Sequence, residues 1–251
     1  MRFLLLFLLL SSPVVAEEIV LGLSQDRVAI TTQFDGSDIL VFGAIKRDTP
    51  VPDGSPLHVI VAVQGPLAPV VVRRKANRFG IWVNTDAVEV DAAPSFYAVA
   101  TTAPLDDVLS ATEDLRNKIS INRAIRSVGA PMTIENPQTF TDAVIRIRQN
   151  AGLYQLLEGQ VALDEDTLFR TSIRMPANLT EGDYRTRIFL TRDRSVIATY
   201  ETQIDVRKVG LERVLFTMSR ERPVQYGLMS LAIAIAAGWG ASAAFQLLRN
   251  R

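Results

Sequence analysis

Phe169-Arg170-Thr171-Ser172-Ile173-Arg174-Met175 sets Phe169, Thr171, Ile173 and Met175 on one side and Arg170 and Arg174 on the other. Successive side chains of an extended strand point to opposite faces, so this segment reads as a strand buried on one face. Tyr184-Arg185-Thr186-Arg187-Ile188 follows the same rule, and Tyr200 to Val206 alternates as well. Residues 153–208 are therefore read as a β domain.

The same signal recurs towards the N-terminus. Residues 18–103 hold IVLGLS, RVAITTQF, DILVFGAIK, LHVIVAV, APVVVRRK, GIWVNT and SFYAVATT. Asp35-Gly36-Ser37, Pro52-Asp53-Gly54 and Gly65-Pro66 punctuate them as turns. Some seven short strands at roughly 8–12-residue spacing are the pattern of an immunoglobulin-like β-sandwich. Both β regions contain a corner that runs into a strand beginning with Tyr, at Tyr97 and Tyr184. Such a tyrosine can hydrogen-bond back to upstream backbone. The expectation is two related sandwich domains, residues 17–104 and 153–208.

Between them the period changes. Leu105, Val108, Leu109, Thr112, Leu115 and Ile119 recur at three and four behind Asp106 and Asp107, which predicts a helix of four to five turns. A second helix is predicted from Thr139 to Gln149, with Phe140, Val144 and Ile147 on one face and Gly152 as its stop. Residues 105–152 are read as a helical connector, interrupted at Gly129-Ala130-Pro131.

The two ends are apolar. Tyr226 to Leu248 carries no charge over 23 residues. As a helix this is about 35 Å, enough to cross a ~30 Å hydrocarbon core with some tilt. Met1 to Ala16 is a short apolar run behind Arg2 that ends in Val14-x-Ala16, the pattern of a cleaved signal peptide. Residues 209–222 place Leu211, Val214, Leu215 and Met218 on one helical face, as an amphipathic juxtamembrane segment would. Pro223 separates it from a transmembrane helix over residues 223–248, and residues 249–251 form the tail. Arg220 and Arg222 before the span balance Arg249 and Arg251 after it, so the signal peptide sets the orientation. The expected protein is a single-pass bacterial inner-membrane protein, its N-terminal domains periplasmic and its C-terminus cytoplasmic.

Composition excludes several functions. Basic and acidic residues number 27 each, and cysteine is absent. A near-neutral exported part carries no broad field for nucleic acid. His58 is the single histidine, so a multi-histidine metal site is ruled out and a histidine-based nucleophile system would have to use that one residue. It opens a β run and reads as an edge or outward strand residue. Asp164-Glu165-Asp166 reads as a solvated turn, with neither the glycine nor the distal glutamate of a calcium loop. No phosphate loop, nucleophile elbow or paired-carboxylate arrangement is recognisable. Catalytic residues, metal ligands and cofactors are expected to be none.

Two clusters remain. Arg73, Arg74, Lys75 and Arg78 precede Trp82 in a predicted hairpin. Forked guanidinium groups beside an aromatic wall could grip a small oxyanion or a partner's carboxylate, although a solvated hairpin with a core tryptophan explains the same residues. In the span, Ser230, Ala234, Gly238 and Ser242 recur every four residues, and small residues let another helix approach closely.

VVRRKANRFGIWVNTD (71–86), PSFYAVATT (94–102), GLYQ (152–155), MPANLTEGDYRTRIFL (175–190) and LERVLF…RERPVQYGL (211–228) appear in order ahead of one terminal span. Together they resemble the alphaproteobacterial transmembrane protein family of the Alph_Pro_TM type. The resemblance covers nearly the whole mature chain and brings no catalytic residues. It implies an accessory role beside a sulfite-exporter-type, TauE/SafE-like permease. The leading expectation is thus a non-catalytic periplasmic module on a membrane tether, assisting a multi-span membrane protein such as a sulfite/organosulfonate-type exporter through its transmembrane helix. A periplasmic small-anion binding or sensing module is the alternative, and an enzyme of unrecognised class stays open behind both.

Overall fold

A computed structural model describes residues 18–25, 27–30, 34–46, 55–127, 136–208, 215 and 218–249. The expected signal peptide, most of the juxtamembrane segment 209–222 and the end of the tail lie outside the described residues.

Alternation and β-branched content build the strands. β1 (Glu18–Leu23), β2 (Arg27–Ile30), β3 (Gly36–Lys46), β4 (Leu57–Gln64), β5 (Leu67–Arg78), β6 (Ile81–Pro94) and β7 (Tyr97–Thr101) follow the seven expected segments in order. The C-terminal region adds β8 (Tyr154–Leu157), β9 (Ala162–Asp164), β10 (Leu168–Pro176), β11 (Gly182–Arg192) and β12 (Ser195–Lys208). β10 buries Phe169, Thr171, Ile173 and Met175 and exposes Arg170 and Arg174, as its alternation requires. The protein is mainly β with one C-terminal apolar helix.

The division into two sandwiches does not hold. One sheet has the order β1-β3-β10-β9 and the other β2-β12-β11-β4-β7-β8, so each sheet mixes strands from both β regions. β3 pairs antiparallel with β10, placing Ile39 opposite Ile173 and Val41 opposite Thr171. β4 pairs antiparallel with β11, placing Ile60 opposite Phe189. Both regions lie in one compact unit that includes Phe34–Val206. The period of each strand fixes its two faces, but says nothing about which distant strand completes its ladder.

The centre of the six-stranded sheet is buried on both faces. β4 reads buried at nearly every position and β7 at every one. On one face Ile60, Ala62, Tyr97, Val99 and Phe189 pack with Val108, Ile119, Ile121, Val144 and Ile145 of the helical segment. The opposite face carries Val59, Val61, Val63, Ile188 and Leu190, also buried, on the side where β10 of the four-stranded sheet approaches β7. The order of layers is four-stranded sheet, six-stranded sheet, helices.

That arrangement gives the helical segment its role. β7 and β8 pair in parallel, Tyr97 opposite Tyr154, and parallel neighbours require a crossover of a dozen residues or more. Residues 102–153 are this crossover within one sheet, and not a link between domains. The single long helix expected over 105–127 is instead three short ones, α1 (Leu105–Val108), α2 (Ala111–Asn117) and α3 (Ile121–Ala124). Ser110 restarts the helix as an N-cap, accepting the Glu113 N–H at 3.3 Å. Lys118 ends it in the left-handed region (φ 52°). The Asp114 carboxylate then accepts the N–H groups of Ile119 (3.1 Å) and Ser120 (2.7 Å), which ties α2 to the start of α3. α4 (Gln138–Asn150) contains the expected second helix. It buries Phe140, Thr141, Val144 and Ile145, while Ile147, expected inside, is exposed.

The last helix, α5 (Pro223–Arg249), belongs to a second unit comprising 29–33 and 207–251.

Candidate functional site

β5 and β6 form a long hairpin with few buried residues, and the basic cluster lies on its outer half. Its base is fixed. Val70, Val72, Arg74, Asp86, Val88 and Val90 share the inward face, where Val88 and Val90 are buried. A register shift between Arg74 and Lys75 leaves Thr85 as an extra residue on β6, and such a bulge twists the ribbon beyond it. Beyond the shift the rungs are Lys75–Asn84, Ala76–Val83, Asn77–Trp82 and Arg78–Ile81.

The expected cluster is thereby divided. Arg74 is engaged: its guanidinium meets Asp86 at 3.7 Å, donates to Thr139 Oγ1 at 3.1 Å and stacks 4.7 Å above the Phe140 ring. It fastens the hairpin to α4. Arg73, its neighbour along the strand, points to the opposite face, so the two guanidinium groups do not make a fork. Arg73, Lys75 and Arg78 make no ion pair among the described residues. Trp82 is 67% exposed and forms no part of the core. It shares its face with Asn77, and Lys75 and Arg73 follow on that face towards the base. Phe79 and Gly80 make the turn with φ of 54° and 84°, both positive as a two-residue primed hairpin turn requires. The Gly80 N–H donates to Asn77 Oδ1 at 2.9 Å.

Elsewhere, buried tyrosines bond to backbone carbonyls. The Tyr97 hydroxyl donates to the Ile119 carbonyl at 2.8 Å, with Lys118 O at 3.2 Å. Arg187 donates to the carbonyls of Asn117 (2.6 Å) and Lys118 (3.0 Å). Together they satisfy the carbonyls at the C-terminus of α2, which no helix bond reaches. The Tyr154 hydroxyl donates to Pro94 O at 2.8 Å, and Arg148 donates to the same carbonyl. Burial pushes Tyr97 and Tyr154 each up to about 12, against the opposing effects of Arg187 and Arg148. Tyr184 is raised by burial too, and its hydroxyl donates to Thr180 O at 2.8 Å, the upstream bond expected at its corner. Tyr97 departs from that expectation by reaching downstream. His58 lies on β4, an internal strand and not an edge, with Nδ1 3.0 Å from Thr102 Oγ1. Asp164 faces Arg170 at 3.8 Å, and Glu165 and Asp166 form a left-handed turn. Among the described residues no group of acidic residues and histidine is placed to hold a metal ion.

Sequence reasoning missed two concavities. A cavity of about 750 Å³ lies among the crossover helices, with Leu109, Ile121, Ile145, Asp114 and Arg194 in its lining. A groove of about 630 Å³ lies on the outer face of the four-stranded sheet, lined by Val20, Leu40, Phe42 and Leu168, all exposed. Its signal was present in IVLGL and DILVFGAI, which are apolar at consecutive positions and so place apolar groups on both faces.

In α5, Pro223–Ser242 has a mean hydropathy of 1.3 and no residue buried against the rest of the chain. Ser230, Ala234, Gly238 and Ser242 lie along one side of it, exposed, and a Cβ at Gly238 would meet nothing within 4 Å. A long apolar helix with none of its span buried among the described residues, in a chain that also folds a β body, defines a membrane protein that is otherwise mainly β. The chain belongs to the Alph_Pro_TM family, described as "Putative transmembrane protein", whose pattern matches residues 18–247. No curated protein and no solved structure matches it.

Proposed function

We propose that this chain is a non-catalytic module, anchored in the bacterial inner membrane with its β body in the periplasm and its C-terminus in the cytoplasm. It serves as an accessory subunit of a multi-span membrane protein of permease type. The observation that carries the reading is α5, a span-length apolar helix whose Ser230, Ala234, Gly238 and Ser242 leave one side open to a neighbouring helix. The buried tyrosines and their arginines support it, because each hydrogen-bonds to a backbone carbonyl of the fold. A sulfite or organosulfonate exporter as the partner follows from the family resemblance alone. The test is purification of the full chain from its native membrane in mild detergent, followed by mass spectrometry. Stoichiometric recovery of a multi-span permease supports the reading, and recovery of the chain alone overturns it.

A second reading is small-anion binding at the hairpin, favoured by Arg73, Lys75 and Arg78 lacking ion-pair partners among the described residues. Calorimetric titration of the full chain with sulfate and sulfite tests it. Saturable heat that disappears on Lys75→Gln supports this reading, and its absence removes it.

A further inference from the structure

The tip of the β5–β6 hairpin combines three features that the fold does not need. Phe79 is 105% exposed, and Ile81 and Trp82 beside it are 66% and 67% exposed. Phe79 also occupies left-handed backbone, where Asn, Asp or Gly sits more easily. The β11–β12 hairpin is an internal comparison, because its turn residues Asp193 and Arg194 have the same positive φ and are polar. Every other non-glycine residue with positive φ among those described is polar or charged, so Phe79 alone places an apolar ring there. An unfavourable backbone position filled by an exposed phenyl ring points to function.

Charge is graded along the same hairpin. From Leu67 to Thr85 there is no acidic residue and there are four basic ones, whereas Asp86, Glu89 and Asp91 lie towards the base. The cations are not gathered on one face: Arg73 and Lys75 share the face of Trp82, and Arg78 shares the face of Ile81 and Val83. A protein partner that docks a β-ribbon reads one face or one edge. Apolar groups at the end of a ribbon, with cations behind them on both faces, match a planar slab entered end-on. In such a slab aromatic rings sit at headgroup level, and Arg and Lys stems extend to anionic phosphates.

We infer that the hairpin tip, Phe79, Ile81 and Trp82 with Arg73, Lys75 and Arg78, docks into the headgroup layer of an anionic lipid bilayer. The chain's own span supplies that bilayer at high effective concentration, so a weak contact suffices. Docking gives the β body a second attachment and fixes its orientation to the membrane. It needs no partner protein, and vesicles of pure lipid therefore test it separately from the accessory reading.

The experiment uses the full chain carrying Trp239→Phe, which leaves Trp82 as the sole tryptophan. It is reconstituted into phosphatidylglycerol-containing vesicles and into phosphatidylcholine vesicles, each with lipids brominated near the headgroup. Trp82 emission is expected to shift to the blue and to be quenched in the anionic vesicles, and to be released by high salt. The triple variant Arg73→Gln, Lys75→Gln, Arg78→Gln should lower the docked-to-free ratio roughly a hundredfold. Phe79→Asn is the second variant: Asn suits the turn, so folding is kept while quenching falls. Absence of Trp82 quenching in anionic vesicles overturns the proposal. Quenching that is equal in both lipids and indifferent to salt and to the triple variant also overturns it.

Discussion

At the scale of single residues, two buried tyrosines and two arginines hold the crossover to the sheet. Tyr97 and Arg187 reach the last carbonyls of α2 from the sheet below, and Tyr154 and Arg148 reach Pro94 from the other end of the crossover. Tyr97→Phe keeps the ring but strands the Ile119 carbonyl, while Arg187 still holds Lys118 O, a loss of about 1–2 kcal/mol in chemical denaturation. Tyr184→Phe breaks one bond of the same kind, and about 1 kcal/mol is expected. The tyrosines also set an alkaline limit. Tyr97 and Tyr154 are raised from 10 to about 12 by burial, so the unfolded chain loses these protons first as pH rises. Their contribution is complete below pH 10 and disappears between pH 10 and about 12. Melting temperature measured from pH 8 to 12 should fall through that window, and Tyr97→Phe should make the fall shallower.

At the scale of elements, glycine decides how closely strands and rings meet. Gly43 lies in β3 between β1 and β10, with Phe169 from β10 as its partner. A Cβ there would lie 2.6 Å from Phe169 Cζ and 2.7 Å from the Val20 carbonyl, so neither side has room. Gly43→Ala should cost about 1–3 kcal/mol by overpacking, read as a shift of the urea midpoint. Gly238 in α5 is the opposite case, because its surroundings within the chain are open. Gly238→Leu should leave the β body intact and weaken co-purification of a membrane partner about five- to thirtyfold, while Leu231→Ile should not. Equal recovery with Gly238→Leu would make α5 a tether only and move any partner contact to the β body.

At the scale of the molecule, the interleaved sheets make one folding unit of two regions far apart in sequence. β3–β10 and β4–β11 pairings cross from the first region to the second, so neither region can close its own ladders. Residues 17–104 and 153–208 produced separately should each remain unfolded by circular dichroism and amide exchange, whereas 17–222 should unfold in a single transition. Two independent transitions in that fragment would restore the two-domain division.

Local period was legible without coordinates. It placed all seven N-terminal strands, the inward set of β10, α4 and the apolar helix α5, because side-chain direction repeats every two or 3.6 residues whatever lies opposite. The basic hairpin was legible as a cluster, and its division was not: the tie from Arg74 to α4 crosses 65 residues of chain, and neither the bulge at Thr85 nor the exposure of Trp82 is written in the local period. The long helix expected over 105–127 failed because Ser110 and Asp114 offer better caps than the continuing helix offers contacts once the segment is laid over a sheet. Tertiary structure alone decided that two β regions form one body. A strand carries its face in its own sequence, but its partner is chosen by which distant ladder and which shared core leave no apolar face and no backbone group unmatched.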